Sequence, residues 1–256
     1  MDAAAFLSVL SGAAVGLMLG LIGGGGSILA TPALLYVVGV ADAHVAIGTS
    51  ALAVSVNAFA NFLNHARRGN VKWPCALTFG GAGVLGAAVG AAFGKLTDAH
   101  ILLPLFALMM IAIGVRMLRP GAGAGDPDVH LNLDNAPKLI GAGLLVGAIS
   151  GFFGIGGGFL IVPGLMAASG MTMLNAIGSS LFAVGAFGAA TATSYAFDGL
   201  IDWPVAGLFI AGGVIGGLAG AQLSTRLASS KGVLQRIFAI VVFAVAAYML
   251  WRSWGG

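Results

Sequence analysis

Long apolar segments fill most of the chain, and short polar or glycine-rich breaks separate them. A helix that crosses a bilayer needs about 20 apolar residues. The pattern predicts helices or helix arms at 3–22, 27–40, 44–66, 74–94, 100–118, 137–153, 159–170, 174–197, 204–225 and 233–251. The runs 3–40 and 137–170 are each broken by glycines near the middle, which predicts a hairpin in each rather than one straight helix.

Composition identifies lipid as the solvent for most of this chain. Hydrophobic residues make up 59% of the 256 residues and charged residues 7%, whereas a soluble domain is about 25% charged. A single cysteine excludes a disulfide scaffold, and a thinly spread net charge of +3 argues against nucleic-acid binding. Only Met1 and Asp2 precede the first apolar segment, so we expect Ala3 onward to belong to the mature fold rather than to a signal peptide.

The two halves of the chain repeat each other. When Gly16 is aligned with Gly147, eight of the twenty positions from 16 to 35 are identical. The matches include Gly20/Gly151, Gly23/Gly154, Gly25/Gly156, Gly26/Gly157, Pro32/Pro163 and Leu34/Leu165. Further on, A-I-G-T-S at 46–50 meets A-I-G-S-S at 176–180, and Trp-Pro follows in both halves. Internal repeats of this kind are typical of secondary transporters.

Basic residues predict that the two halves insert in opposite orientations. The 66–73 loop carries Arg67, Arg68 and Lys72, whereas the matching 198–203 loop carries two aspartates and no basic residue. Loops rich in Lys and Arg stay cytoplasmic. We therefore expect the 66–73 loop to be cytoplasmic and the 198–203 loop to be external.

Opposite insertion requires an odd number of membrane crossings in each half. One hairpin that enters and leaves on the same side, together with three spanning helices, meets this requirement. The sequence therefore predicts an all-α integral membrane protein with two inverted repeats, each a glycine-broken re-entrant hairpin plus three transmembrane helices. The repeats are residues 1–118 and 137–256, and residues 119–136 form a polar linker between them.

Four motifs carry a family resemblance. They are G-L-I-G-G-G-G-S-I-L-A-T-P-A-L-L at 20–35, its echo G-F-F-G-I-G-G-G-F-L-I-V-P-G-L at 151–165, A-I-G-T-S at 46–50, and R-R-G-N-V-K-W at 67–73. With them the chain resembles the sulfite exporter TauE/SafE family of membrane permeases over nearly its whole length. The resemblance implies transport of a small sulfur-containing anion, such as sulfite, thiosulfate or the organosulfonate sulfoacetate, across the bacterial cytoplasmic membrane. It leaves open the particular anion, the direction, the coupling ion and the oligomeric state.

The glycine clusters at 23–26 and 154–158 predict backbone turns within the membrane. Consecutive glycines weaken a helix by about 1 kcal/mol each, and unwound backbone at that depth must be buried in protein or line a cavity. The helix that follows such a turn offers free N–H groups to an anion. Neither cluster is followed by Gly-Lys-Ser or Gly-Lys-Thr, which excludes a nucleotide-binding loop. A second type of pattern, the four-residue spacing of Gly86, Gly90 and Gly94 and of Gly212, Gly216 and Gly220, indicates close helix packing instead.

Neutral polar residues accompany the turns. Spacings of 7, 4 and 3 place four side chains on one inward face of segment 44–66, namely Ser50, Asn57, Asn61 and Asn64. For Ser50, Asn57 and the repeat-related Ser180, substrate lining and packing both stay open, whereas Asn61 and Asn64 are expected to bond between helices. Thr49 and Ser179 either cap a helix or donate a hydroxyl to an oxyanion. Asp42, His44 and His65 are expected at solvated loops or helix ends.

The candidate site therefore lies between the two turns. The predicted substrate-binding residues are Gly25, Gly26, Ser27, Thr49, Ser50, Asn57, Gly156, Gly157, Gly158, Ser179 and Ser180. No Lys or Arg falls in the middle of a segment, so helix N-termini and neutral donors would hold the anion. We expect no metal, cofactor or catalytic residue, because no cluster has metal-ligand or catalytic spacing. The alternatives are an anion channel, or a membrane protein of structural or enzymatic role whose glycines serve only packing.

Overall fold

The computed structural model of this protein describes residues 3–97, 105, 107–112, 114–115, 118, 125–153, 158–227 and 232–254. Its helices are α1 (Ala3–Ile22), α2 (Ala30–Ala33), α3 (Ala43–Arg67), α4 (Trp73–Lys95), α5 (Ala136–Phe153), α6 (Gly158–Ser169), α7 (Met173–Phe197), α8 (Trp203–Leu227) and α9 (Val233–Trp254). A 3-10 turn at Gly23–Leu29 precedes α2, and a π-helical turn at Leu34–Val38 follows it. Most of the predicted segment 100–118, and linker residues 119–124, lie outside the described residues.

Six described segments are long and apolar enough to cross a membrane. They are Ala4–Val38, Ala43–Arg67, Trp73–Gly94, Ala136–Phe153, Met173–Phe197 and Trp203–Leu227. Large apolar side chains cover the outer surface, where Leu85, Ile215 and Trp251 are 66–70% exposed. An apolar surface of this extent is stable only against lipid. The chain is therefore a multi-pass, all-helical membrane protein over its described part.

Helices of one half pack against helices of the other half. Helix α1 lies along α8, α5 lies along α4, and the two central helices α3 and α7 lie against each other. A side chain would overlap the backbone of α5 or α1 at each glycine of the spaced stripes, Gly86, Gly90, Gly94, Gly212, Gly216 and Gly220. The predicted packing role of these glycines is confirmed, because only residues without a side chain let the backbones approach so closely.

Local sequence explains where the central helices begin. The Asp42 carboxylate accepts hydrogen bonds from the backbone N–H groups of His44 and Val45, at 2.7 and 3.1 Å, and so caps α3. Thr172 caps α7 in the same way. A Trp-Pro pair opens both α4 and α8, because proline needs no hydrogen-bond acceptor in the first turn of a helix. Local sequence therefore accounts for the starts of these four helices.

The first glycine cluster folds the chain back on itself. Gly23 has a φ of +67°, in the left-handed region that favours glycine, and it ends the course of α1. The segment from Leu29 to Val37, which we call the return arm, lies beside α1, because residues of this segment and of Leu10 to Val15 line one apolar groove. The predicted break in the 3–40 run is therefore present. In the second half the corresponding residues 154–157 lie outside the described residues.

Candidate functional site

The described ends of the two glycine clusters meet deep inside the protein. A side chain at Gly24 would overlap the backbone of Gly158, and a side chain at Gly158 would overlap that of Gly24. Gly24 lies in the turn of the first half, and Gly158 is the first residue of α6 in the second half. Both residues are buried. We call this place the glycine crossing.

Two buried serines bond across the glycine crossing. The Ser27 hydroxyl donates to the Gly24 carbonyl at 2.8 Å and accepts from the Gly158 N–H at 3.2 Å. The Ser180 hydroxyl donates to the Ile177 carbonyl at 2.8 Å and accepts from the Gly24 N–H at 3.1 Å. Two backbone N–H groups from opposite halves therefore meet at the glycine crossing, and each donates a hydrogen bond to a serine oxygen.

Ser50 belongs to a second pair of hydroxyls. Its Oγ lies 2.8 Å from Thr31 Oγ1 and donates to the Ile47 carbonyl at 2.9 Å. Sequence reasoning missed Thr31, because its counterpart in the repeat is the apolar Val162. The available signal was the one hydroxyl side chain in the otherwise apolar segment 28–35. Since Thr31 and Ser50 are both buried, their pairing leaves neither oxygen unsatisfied.

Thr49 and Ser179 bind loops of the opposite half. Thr49 Oγ1 accepts from the Asp202 N–H at 2.9 Å, and Ser179 Oγ accepts from the Lys72 N–H at the same distance. Each central helix is thereby tied to the loop that precedes α8 or α4. We call these contacts the Thr49 seal and the Ser179 seal. Neither hydroxyl caps its own helix in these bonds.

Asn57 lies against α8. A side chain at Gly213 would overlap the Asn57 amide, whose Nδ2 and Oδ1 are both buried without a hydrogen-bond partner. Asn61 donates to the Asn57 carbonyl at 2.9 Å, and Asn64 donates to the Ala60 carbonyl at 3.4 Å. Both bonds run within α3, so the expected bonding of Asn61 and Asn64 between helices is wrong.

The candidate residues thus separate into several groups. Ser27, Gly158 and Ser180 meet at the glycine crossing, whereas Ser50 pairs with Thr31 on the return arm. Gly25 and Gly26 are buried in the 3-10 turn, and a side chain at Gly26 would overlap the end of α1. Gly156 and Gly157 lie outside the described residues.

His65 is fully buried, so its expected place at a solvated helix end is wrong. Its Nε2 lies 3.0 Å from the carbonyl oxygen of Gly20 on α1. The last turn of α3 therefore lies beside the C-terminal end of α1. Arg68, at the C-terminal end of α3, donates to the Ala221 carbonyl of α8 at 3.2 Å. The end of α3 is therefore held inside the bundle.

The polar centre is electrically neutral in its side chains. Among the side chains whose burial the structure describes, no Lys, Arg or Asp is buried. Within the same part of the chain, no group of three or more His, Cys, Asp or Glu side chains could hold a metal ion. Backbone N–H groups and hydroxyls are therefore the donors that this centre offers.

Membrane-spanning helices from two repeated halves, with a buried polar centre between them, define a multi-pass protein of the transporter class. The family described as "Sulfite exporter TauE/SafE" matches residues 8–249, which is nearly the whole chain. The chain belongs to the sulfite exporter TauE/SafE family, in agreement with the resemblance of its motifs.

Relatives of known sequence agree with this assignment. The chain is 53% identical to a "Probable membrane transporter protein" of Xylella fastidiosa (strain Temecula1), over 97% of this chain and 95% of the relative. It is 25% identical to "Probable membrane transporter protein YunE" of Bacillus subtilis, over 96% and 97% of the two chains. It is also 29% identical to a "Probable membrane transporter protein" of Haemophilus influenzae, over 69% of this chain and 67% of the relative. No solved structure matches the chain.

Proposed function

We propose that the protein is a secondary transporter that moves a small sulfur-containing anion across the bacterial cytoplasmic membrane. The substrate class comprises sulfite, thiosulfate and organosulfonates such as sulfoacetate. The family description names sulfite, and a neutral polar centre suits an anion that must bind and then leave. The observation that carries the proposal is the glycine crossing, where N–H groups from both halves converge away from water.

The two N–H groups supply the binding chemistry. Serine oxygens now accept from the N–H groups of Gly24 and Gly158, and an oxyanion offers acceptors of the same kind with a negative charge. The anion replaces the serine oxygens, and the released hydroxyls turn to donate to it. A hydrogen bond to a charged group contributes about 1.5–3 kcal/mol, and the N-terminus of α6 adds up to about 2 kcal/mol. A few such contacts bind the anion reversibly.

The remaining candidate residues surround this position in the proposed site. Gly25, Gly26 and Ser50 belong to the first half, and Gly156 and Gly157 to the second. Thr49 and Ser179 close the two approaches through the seals, and Asn57 stands beside the route along α3. Only glycine at the crossing lets the substrate approach the backbone closely.

Inverted repeats are part of the proposal. Residues 1–118 and 137–256 insert in opposite orientations, the two glycine-broken hairpins are re-entrant, and residues 119–136 link the halves. The exchange of partners, with α1 on α8 and α5 on α4, supports this arrangement. With the halves inverted, inward-open and outward-open states are exchanged conformations around one fixed site.

A proteoliposome uptake screen tests the proposal. Purified protein is tested with sulfite, sulfate, thiosulfate, taurine, sulfoacetate and chloride. We expect saturable uptake and counterflow for at least one sulfur-containing anion, in either direction down its gradient. Non-saturating flux without counterflow would identify a channel, and flux of chloride alone would contradict the substrate class.

Variants at the crossing locate the site. Ser27→Ala and Ser180→Ala should each weaken binding of the transported anion by about 10- to 150-fold, because each removes a hydrogen bond to a charged group. Thr193→Ala is the matched control, since this hydroxyl on α7 is exposed and bonds only to its own helix in the described contacts. Binding to the purified, folded variants is measured by calorimetry. Wild-type affinity in both serine variants would place the site elsewhere.

A further inference from the structure

A row of buried polar side chains follows one face of α3. Asn57, Asn61 and His65 are four residues apart, which places them on the same face, and each is at most 1% exposed. The row faces α1 and α8, where Gly20 and Gly217 leave room for it: a side chain at Gly217 would overlap the Asn61 amide. The glycines on the two facing helices therefore leave space for the polar side chains of this row.

The second half fills the matching place differently. The counterparts of the row are Phe187, Thr191 and Tyr195. The Phe187 ring occupies the space beside Gly83, just as the Asn57 amide occupies the space beside Gly213. The architecture therefore accepts aromatic rings at these positions, and the fold alone does not require polar groups in the first half.

A hydrogen bond fixes which nitrogen of His65 carries hydrogen in the neutral ring. Nε2 lies 3.0 Å from the Gly20 carbonyl oxygen, and a carbonyl only accepts. Nε2 therefore carries the hydrogen, and Nδ1 is left with a lone pair. Nδ1 is buried and has no hydrogen-bond partner. His65 thus holds a buried nitrogen base that has no hydrogen-bond partner.

Asn61 presents an unused acceptor one turn away from that base. Its Nδ2 donates to the Asn57 carbonyl, which fixes the orientation of the amide. Its Oδ1 is then directed towards Gly20, and it lies 3.0 Å from the point that a Cβ atom on Gly20 would occupy. This oxygen has no hydrogen-bond partner. A base and an acceptor, both buried and both without a hydrogen-bond partner, therefore lie one helical turn apart on the same face of α3.

Few charged groups face this row. The described part of α1 has no titratable side chain, and α8 has only Arg226, on its exposed last turn. Arg68 is the charged group that acts on His65 from the end of α3. Its guanidinium is held on α8, where it donates to the Thr225 hydroxyl at 3.0 Å. The row thus leads from the protein interior towards the loop that the sequence predicts to be cytoplasmic.

We propose that Nδ1 of His65 is a proton-binding site and that proton uptake there is coupled to movement of the anion. Gly20 is the connecting element, because it lies three residues before Gly23, where the chain turns. A protonated ring donates to the Gly20 carbonyl through a stronger, charge-assisted hydrogen bond. The protonation of His65 and the position of the turn are therefore linked, and such linkage is reciprocal. The coupling rests on the proposed function, whereas the proton site does not.

Nuclear magnetic resonance of the purified protein tests the proton site without any substrate. The ¹⁵N signals of labelled histidine show which ring nitrogen carries hydrogen, and their loss in His65→Gln assigns them. We expect the neutral ring to carry hydrogen on Nε2, and Nδ1 to gain a proton as the protein is acidified while it stays folded. A neutral ring with hydrogen on Nδ1, or no protonation of the ring in the folded protein, overturns the proton site.

Proteoliposomes that contain a pH-sensitive dye test the coupling, with a thiosulfate gradient as the driving force. Thiosulfate is chosen because it does not itself bind protons near neutral pH. Wild-type protein should move protons together with thiosulfate. His65→Gln can still donate to the Gly20 carbonyl but has no base, so it should move thiosulfate with at least about tenfold less proton flux.

Tyr195→Phe is the matched control, because Tyr195 is the counterpart of His65, and its proton flux should equal that of wild type. Wild-type proton flux in His65→Gln, or thiosulfate movement without protons in wild type, overturns the coupling. If no anion is moved, the proposed function fails together with the coupling. The resonance experiment then decides the proton site by itself.

Discussion

The two seals make a sharp prediction about how access to the site is controlled. Gly48 packs against the Leu200 carbonyl, and Gly178 packs against the Asn70 carbonyl, so neither position has room for a methyl group. Gly48→Ala should displace the loop before α8, although its methyl group also comes within 2.9 Å of the Tyr195 Cβ on α7. Gly178→Ala should displace the loop before α4, because its methyl group meets only Asn70. The two variants form a matched pair, since the same change is made at repeat-related positions.

The size of the effect follows from the geometry. A methyl group at either position makes the loop retreat by roughly 1 Å before the contact reaches an ordinary 3.4 Å. The hydrogen bond of each seal is 2.9 Å long and stretches to about 4 Å, which is beyond hydrogen-bonding range. Loss of a buried hydrogen bond costs about 1–3 kcal/mol. This corresponds to an increase of about 5- to 150-fold in the population with that seal open.

Cysteine accessibility measures the opening. Ser50→Cys reports beside the Thr49 seal and Ser180→Cys beside the Ser179 seal, each in a Cys75→Ser background. Ser50 and Ser180 are at most 1% exposed, so both reporters should react slowly with a membrane-impermeant maleimide. Gly48→Ala should raise labelling of the first reporter from outside the membrane by about 5- to 150-fold. Gly178→Ala should do so for the second reporter from inside.

The control is Gly207→Ala, because a side chain at Gly207 meets nothing within 4 Å. It should leave the labelling of both reporters unchanged. If both seal variants expose the same reporter, or if the control exposes either one equally, the seals are not separate gates.

Two further predictions concern packing and orientation. Gly90→Ala and Gly216→Ala should lower the free energy of unfolding by about 1–3 kcal/mol, because their methyl groups would overlap α5 and α1. Gly81→Ala should leave it unchanged, because a side chain at Gly81 meets nothing within 4 Å. Unfolding in detergent measures all three variants. Equal stability of all three would show that the stripes do not hold the halves together. Single cysteines at Arg67→Cys and Asp198→Cys should be labelled from opposite sides of the membrane, and labelling of both from one side would exclude the inverted repeats.

The positions of the helices could be predicted from the sequence because lipid offers no hydrogen-bond partners to the backbone. An apolar segment in a bilayer must satisfy its own N–H and C=O groups, and a helix does so internally. The predicted segments 44–66 and 174–197 accordingly form Ala43–Arg67 and Met173–Phe197. The spacing of the glycine stripes was equally informative, because every fourth residue returns to nearly the same face of a helix.

The partners of the hydroxyl groups could not be predicted in this way. Thr49 and Ser50 are neighbours in sequence, yet about 100° of helix rotation separates their side chains. One therefore binds the loop at Asp202, and the other pairs with Thr31 on the return arm. A repeat alignment shows that two positions correspond. It does not show which third element lies opposite either of them.

His65 shows where differences between the repeats are more informative than matches. Two residues from the end of α3, it was expected in solvent, but the same four-residue spacing that turns Asn57 inward continues to His65. Its counterpart Tyr195 is also buried, at 1% exposure, so this position is internal in both halves. Matched glycines build the frame that the halves share. A buried base in one half, where the other half has a phenol ring, is a departure that packing does not explain, and its chemistry is therefore the feature to test.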